Sequence, residues 1–309
     1  MQKYAGLPAH ILEEMKSHKW FHAIDAGGGL VTCGRFPPGK PQNQTLFSVF
    51  DFLKDIDVAG MDCLDIGATD GLVAFGLERL GAKSVVATDR YAGIGFTGLH
   101  SYLNSRVEHI VPVEISNLQE AMGNRRFDLI VCAGVIYHML NPLSALMACR
   151  ALLRPGGLLI VETAMTWKSK DPVLYLNSEG QELPETSTYW APTPAALTGM
   201  ARLCHYEVLG SRWQPMTARG AVLGRATHRK QPIPGSTPLL AAMHKFGLLD
   251  FPYARDVDAA DALPPSSIRF RGTFREFEID PATYIPDFPL HAHNPDPAKT
   301  IGRRDWSVP

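Results

Sequence analysis

The sequence predicts an α/β protein built around a seven-stranded, mostly parallel sheet. Between residues 61 and 229, short apolar runs alternate with helical patterns, which is typical of a parallel sheet flanked by helices. The chain has 309 residues, of which 45% are hydrophobic, enough for one sizeable domain with additions. Residues 1–60 and 230–309 lack this alternation, so we expect them to be additions to the sheet domain.

Residues 1–60 are predicted to form a helical and loop segment that covers part of the active site. Pro8 precedes a short amphipathic pattern of Ile11, Leu12 and Met15, which indicates a first helix. A second helical pattern covers residues 46–54. The Gly-rich and Pro-rich stretch between the two patterns predicts loop.

Residues 61–229 are predicted to form the central domain. Helical spacing of Val73, Leu77 and Leu80 predicts a helix that ends at Gly81. A later helix should begin with Asn141 as its N-cap and Pro142 in its first turn. The seven predicted strands are 63–66, 84–88, 109–113, 127–133, 158–162, 206–211 and 221–226, with a turn at 154–157 leading into the fifth.

Residues 230–309 form a Pro-rich extension, with 12 of the 24 prolines. Alternating apolar and charged residues at 268–280 indicate some strand. A structureless segment of this length is unusual in a compact domain. We therefore expect the extension to pack on the domain or on a partner subunit, giving a homo-oligomer in the second case.

Composition narrows the classes of function. Thirty Lys and Arg against 31 Asp and Glu give a net charge of -1, so an overall basic surface for nucleic acid is missing, although a local patch stays open. No apolar run reaches the ~18 residues of a membrane span, and the first residues lead into no secretory signal. The five cysteines are widely spaced, which favours neither disulfides nor a zinc site and fits a reducing cytoplasm.

The most informative motif is Leu-Asp-Ile-Gly-Ala-Thr-Asp-Gly at residues 64–71. A predicted strand ends at Gly67, where the missing Cβ lets the backbone come close to a ligand. Asp89 follows the next predicted strand, about 20 residues on, where an acid can accept both hydroxyls of a ribose. Thr69 replaces the middle glycine of the dinucleotide fingerprint, and Asp70 brings negative charge to the pyrophosphate position. The motif therefore favours a nucleoside without phosphates over NAD.

With these residues the sequence resembles the class I S-adenosylmethionine-dependent methyltransferases over about residues 60–230. Residues 65–71 look like the first motif of that family, Asp89 like its ribose acid and 153–157 like its turn before the fifth strand. Residues 20–24, 134–138 and 189–194 resemble the branch related to the tRNA wobble-uridine carboxymethyltransferases. The resemblance implies a Rossmann-like fold and S-adenosyl-L-methionine as cofactor.

The resemblance also implies the cofactor contacts. Asp65 would face the amino group of the methionine moiety, Asp89 the ribose, and Arg90 the adenine. Ser116 stands where the family often has an acid. The full set of implied contacts is Asp65, Gly67, Ala68, Gly71, Asp89, Arg90, Ile115, Ser116, Ala133 and Gly134.

Methyl transfer demands mainly alignment and exclusion of water, because the sulfonium is already activated. Tyr137 would sit over the sulfonium by cation–π attraction, or be a core aromatic. His138, His22 and Tyr137 are the candidate bases, and His138 has the alternative of capping the following helix.

We predict no metal site, since His291 and His293 lack an acidic third ligand in sequence. The predicted substrate chamber is lined by Trp20, Tyr175, Asn177 and Trp190.

Four functions stay open at this point. The leading hypothesis is a methyltransferase that acts on a small molecule. A tRNA-modifying transferase would need a positive phosphate-binding face. A cyclase would use the cofactor's own amino group as nucleophile and release azetidine-2-carboxylate and methylthioadenosine. A non-catalytic subunit would bind the cofactor without turning it over.

Overall fold

The computed structural model describes residues 7–180, 183, 187–227 and 267–303. Parts of the predicted C-terminal extension, residues 230–266 and 304–309, lie outside the described residues. No helix in the described ranges is long and apolar enough to cross a membrane.

The main sheet has eight described strands in the order β10-β8-β9-β5-β4-β1-β2-β3. Neighbouring strands run parallel except at β9, which is antiparallel to β5 and β8. The α/β prediction is confirmed, with one strand more than the seven expected. The strands, including the separate β6–β7 pair, are β1 Asp62–Ile66, β2 Ser84–Thr88, β3 Glu108–Ile110, β4 Phe127–Ala133, β5 Leu153–Ala164, β6 Leu174–Leu176, β7 Trp190–Pro192, β8 Tyr206–Gln214, β9 Arg219–Ala226 and β10 Glu276–Glu278.

Helices cover both faces of the sheet, with apolar clusters on either side. The predicted helix start at Asn141 is confirmed, because the Asn141 side chain accepts a hydrogen bond from the N–H of Ser144 (3.3 Å) and Pro142 follows it. The described α-helices are α1 Ala9–Ser17, α2 Phe47–Lys54, α3 Leu72–Arg79, α4 Ile94–Leu103, α5 Leu118–Met122, α6 Pro142–Leu152 and α7 Pro194–Leu203.

Strand β5 begins five residues earlier than predicted. Leu153 pairs with Phe127, and the register then shifts so that Leu158 pairs with Leu129. The intervening Arg-Pro-Gly-Gly segment bulges out of the ladder. Arg154 fastens it to the neighbouring strands through ion pairs to Asp128 (2.6 Å) and Asp62 (3.1 Å). The predicted turn is therefore a bulge within the strand. It is held by ion pairs between residues that are distant in sequence, which the sequence pattern could not predict.

The described part of the C-terminal extension packs against the N-terminal segment. Isolated bridges join Lys19 to Arg303 and Thr32 to Ile301. Strand β10 adds to the sheet beside β8, where the buried Arg212 pairs with Asp51 of α2. Tyr284 donates its hydroxyl hydrogen to the same carboxylate (3.0 Å). The two flanking segments thus lie together on the sheet domain.

The sheet order reverses between β2 and β4, which lie on opposite sides of β1. Ile66 at the end of β1 pairs with Thr88 of β2 and with Cys132 of β4. The carboxyl ends of these strands therefore meet at one edge. In open α/β sheets this crevice is where ligands bind.

Candidate active site

A tight loop follows β1 at the carboxyl edge. The N–H groups of Gly67 and Ala68 both donate to the carbonyl of Thr88 (2.9 and 3.1 Å), which fastens the loop to β2. Gly67 has φ +76°, and a Cβ there would lie 2.8 Å from Cγ2 of Val135. Gly71, with φ +86°, turns the chain into α3. These positions need glycine, because the loop is left-handed and closely packed. We call residues 67–71 the glycine loop.

Asp89 lies beside the glycine loop at the end of β2. One carboxylate oxygen accepts the N–H of Thr69 (2.8 Å), and the other accepts the N–H of Arg90 (2.6 Å). The side chain is half-buried. A carboxylate oxygen can accept more than one hydrogen bond, so this oriented group keeps acceptor capacity for a ligand.

Asp65 is the most unusual group at this edge. Its side chain is 3% exposed, and its Oδ2 has no hydrogen-bond partner among the residues that the structure describes. Burial raises the pKa of Asp65 to about 7; the Ala74 N–H opposes this rise and the charge of Asp89 adds to it. A buried carboxylate oxygen without a partner is costly, and a cation is the group that would relieve this cost.

A second buried charge lies where β5 and β9 pair. Glu162 has no exposed surface and binds the Arg219 guanidinium through two hydrogen bonds (2.6 and 2.8 Å). Glu162 also accepts the N–H of Gly134 at the end of β4 (2.9 Å). Burial by itself would lower the pKa of Arg219. The neighbouring Glu162 carboxylate more than offsets this effect, so the pKa of Arg219 is raised. Sequence reasoning missed this pair. Its signal is Glu162 itself, an acid inside an apolar strand that needs a partner.

Tyr137 contacts this pair. The Arg219 guanidinium lies 4.7 Å from the centre of the Tyr137 ring, so a cation of the protein already occupies the position next to the ring. Tyr137 itself is 6% exposed. His138 follows it, and Nδ1 of His138 lies 2.8 Å from the carbonyl oxygen of Ser187. Since Asn141 caps α6, His138 does not serve as its cap.

His22 reaches the glycine loop through Asp70. The N–H groups of Phe21 and His22 donate to one Asp70 oxygen (2.7 and 2.9 Å), and His18 contacts the other (3.2 Å). Burial lowers the pKa of His22 to about 4, although the Asp70 charge acts in the opposite direction. The ring is therefore neutral near pH 7. We call residues 18–36 the lid.

The predicted chamber residues are spread over several places. Trp20 has no exposed surface and donates to the carbonyl of Met15 (3.0 Å), so the structure places it in lid packing rather than in a chamber wall. Trp190 donates to the carbonyl of Leu140 (3.1 Å) and lines an apolar groove of about 360 Å³ between α6 and α7. Tyr175 pairs with Ala191 in the β6–β7 ladder.

The amide of Asn177 organises the same loop. It donates to the carbonyl of Thr188 (2.8 Å) and accepts the N–H of Leu183 (2.8 Å). Its side chain is 6% exposed. The structure thus places Asn177 in the loop's own hydrogen bonding.

The implied adenine side is more exposed. Arg90 pairs with Glu114 (3.3 Å), and both side chains are largely in solvent. Ile115 and Ser116 follow in a single 3-10 turn that Glu114 and Asn117 cap reciprocally. Glu114 therefore places an acid close to Ser116, but this acid lies two residues before the position where the family often has one.

Comparison with known proteins finds methyltransferases. A family model described as a methyltransferase domain matches residues 42–212, more than half of the chain. A tRNA U34 carboxymethyltransferase of Geobacter sp. (strain M21) is 26% identical over 155 residues, covering 50% of this chain and 47% of that protein. A ubiquinone biosynthesis O-methyltransferase of Cereibacter sphaeroides (strain ATCC 17029 / ATH 2.4.9) is 32% identical over 121 residues, covering 37% and 45%. The chain thus spans about half the length of these curated relatives.

Among solved structures, the chain is similar to 1,6-didemethyltoxoflavin-N1-methyltransferase of Burkholderia thailandensis, which was crystallised with 1,6-didemethyltoxoflavin and S-adenosylhomocysteine. The two chains are 22% identical with a TM-score of 0.44, over 55% of this chain and 72% of the other. Through the family model that matches more than half of it, the chain belongs to the methyltransferase domain family, in the class that uses S-adenosylmethionine.

Proposed function

We propose that this protein transfers the methyl group of S-adenosylmethionine to a small-molecule acceptor. The observation that carries the proposal is the buried Asp65 carboxylate, whose Oδ2 lacks a partner in the described part of the chain. The α-ammonium group of the cofactor is a cation of the kind this oxygen needs. Beside it, Gly67 packs against Val135, so the glycine loop turns tightly at the same edge of the sheet. The residues present therefore fit S-adenosylmethionine.

Other residues would hold the rest of the cofactor. Asp89, oriented by two backbone N–H groups, would accept the ribose hydroxyls. Ile115 and Ser116 would flank the adenine, with Arg90 beside it. Gly134, whose N–H is fixed by Glu162, would close the methionine end.

The bound cofactor supplies a methyl group that is already activated by the sulfonium. The chain therefore has to align the acceptor and exclude water. The pairing of Arg219 with Glu162 supports a rigid wall, because Arg219 contacts the face of Tyr137. A fixed aromatic wall restricts how the acceptor can approach.

His138 would take the proton that the acceptor loses. Its Nδ1 faces a carbonyl oxygen, which can only accept, so Nδ1 carries a hydrogen and Nε2 is the ring nitrogen that would take the proton. His22 is less suited to this role, since its pKa of about 4 makes it a weak base. The acceptor would thus carry a nucleophile with a removable proton.

Charge pairing at the opposite edge of the sheet favours a small molecule over tRNA. A cavity of about 590 Å³ there is lined by several cationic side chains. Arg125 binds Glu108 through two hydrogen bonds (2.7 and 2.9 Å), and Arg154 pairs with Asp62 and Asp128. Cations held in this way are poor partners for a phosphate backbone.

Mass spectrometry of the reaction products tests the proposal. Purified protein is incubated with S-adenosylmethionine alone and with pools of small phenols, amines and carboxylic acids. We expect S-adenosylhomocysteine to form only when the right pool is present, and to fall with His138→Ala while cofactor affinity stays unchanged. Methylthioadenosine formed without acceptor would instead indicate cyclisation, and methylation confined to added tRNA would contradict a small-molecule acceptor.

A further inference from the structure

Asp70 belongs to the glycine loop, yet its carboxylate is bound to the lid. Its Oδ2 accepts the N–H groups of Phe21 (2.7 Å) and His22 (2.9 Å). Its Oδ1 accepts from Nε2 of His18 (3.2 Å), because a carboxylate cannot donate. The side chain is 3% exposed. One loop carboxylate therefore binds three residues of the lid.

The surroundings leave room for this contact. Gly95 of α4 lies against the pair of Asp70 and His18, and a Cβ at that position would overlap both side chains. A helix residue with any side chain would therefore push the lid away from the glycine loop.

The lid is also internally braced. The hydroxyl of Thr32 donates to the carbonyl of His22 (2.7 Å) and accepts the N–H of Ile24 (2.8 Å). The amide of Asn43 binds both backbone groups of Ala23 (2.8 and 2.9 Å). Displacement at His22 must therefore move the neighbouring lid residues with it.

From this anchor the lid extends toward the methionine end of the site. The Arg35 guanidinium lies 4.0 Å from the centre of the Phe21 ring. Arg35 is close enough to both His22 and Glu162 for its charge to act on each of them. The lid therefore brings the charge of Arg35 near the Glu162–Arg219 pair.

We propose that Asp70 is a positioning residue that couples the lid to the glycine loop, so that a cofactor bound on the loop holds the lid closed over the methionine end of the site. Thr69 and Gly71, on either side of Asp70, belong to the loop that would cradle the cofactor. Fixing that loop fixes Asp70, and Asp70 fixes the lid. The cofactor part of this proposal rests on the proposed function; the Asp70 contact does not.

Limited trypsin digestion, followed by mass spectrometry of cleavage after Lys19 and Arg35, tests the coupling in the full chain. In the wild type we expect saturating S-adenosylhomocysteine to slow lid cleavage about tenfold, the effect of one charge-assisted contact. In Asp70→Ala this protection should be lost, and because coupling between two sites is reciprocal, the dissociation constant of S-adenosylhomocysteine should rise by up to about the same tenfold. Turnover at saturating cofactor should also fall at least about tenfold.

Two variants separate coupling from general damage. Asp70→Asn keeps an oxygen for the two N–H donors and should recover most of the protection. Asp25→Ala removes an exposed carboxylate of the same lid, whose one hydrogen bond among the described residues is to the Gly27 N–H (3.0 Å), and should behave as the wild type. Full protection in Asp70→Ala, an equal loss of protection in Asp25→Ala, or a loss of cofactor affinity well beyond tenfold in Asp70→Ala would overturn the proposal.

If the wild type does not bind S-adenosylhomocysteine, the proposed function fails. The contact is then judged from ligand-free protein. Faster lid cleavage in Asp70→Ala than in Asp25→Ala would support it, and equal rates would contradict it.

Discussion

Lowering the pH from 8 to 6 should weaken S-adenosylhomocysteine binding about tenfold, through protonation of Asp65. Burial raises the pKa of this carboxyl to about 7 in the free protein. About nine tenths of it is therefore ionised at pH 8 and about one tenth at pH 6. Only the carboxylate attracts an ammonium group, so binding lowers the pKa of Asp65 and releases a proton.

Calorimetry in two buffers with different ionisation enthalpies measures both the dissociation constant and the number of protons released on binding. At pH 6.5 the wild type should release most of one proton per ligand bound. Asp65→Asn should show no such release and no pH dependence between 6 and 8. At pH 8 its affinity should be lower by about 1.5–3 kcal/mol, the worth of a hydrogen bond to a charged group.

Two results would refute this reasoning. One is a wild-type dissociation constant that stays unchanged between pH 6 and 8 without proton release. The other is an Asp65→Asn variant that keeps the pH dependence of the wild type, since the titrating group would then lie elsewhere.

Three further predictions concern stability and binding. The folded-state pKa of Asp65 lies above its usual value of 3.8, so the free energy of unfolding should fall as the pH rises from 4 to 7, by at most about 4 kcal/mol. In urea unfolding, Asp65→Asn should therefore be more stable than the wild type at pH 8, and this difference should vanish near pH 4. Asp89→Ala should weaken S-adenosylhomocysteine about 10-fold to 100-fold by calorimetry with little change in melting temperature; an unchanged affinity would remove Asp89 from the site. Arg219→Met should cost about 3–5 kcal/mol in urea unfolding because it leaves Glu162 buried and unpaired, and adding Glu162→Gln should restore part of that loss; additive losses would contradict the pairing.

Local patterns in the sequence predicted most of the main sheet and the glycine loop after its first strand. The predicted strands 84–88 and 127–133 coincide with β2 and β4, because buried apolar runs bounded by turn residues need no distant information. Gly67 and Asp89 follow adjacent parallel strands, so topology alone places them at one edge. The N-cap at Asn141 is equally local, since it depends on residues within one helical turn.

Tertiary structure decided which charges meet. Glu162 and Arg219 are far apart in sequence, and the residues around either one do not identify the other as its ion-pair partner. From the sequence, Asp70 was interpreted as a negative charge that disfavours a bound pyrophosphate. In the structure it accepts hydrogen bonds from the backbone N–H groups of Phe21 and His22, and such donors cannot be predicted from residue type. Trp20, an aromatic in a loop, could face a chamber or a core by pattern alone; packing beside Met15 and Gly302 buries it. Such outcomes depend on long-range contacts between surfaces that exist only after the chain has folded.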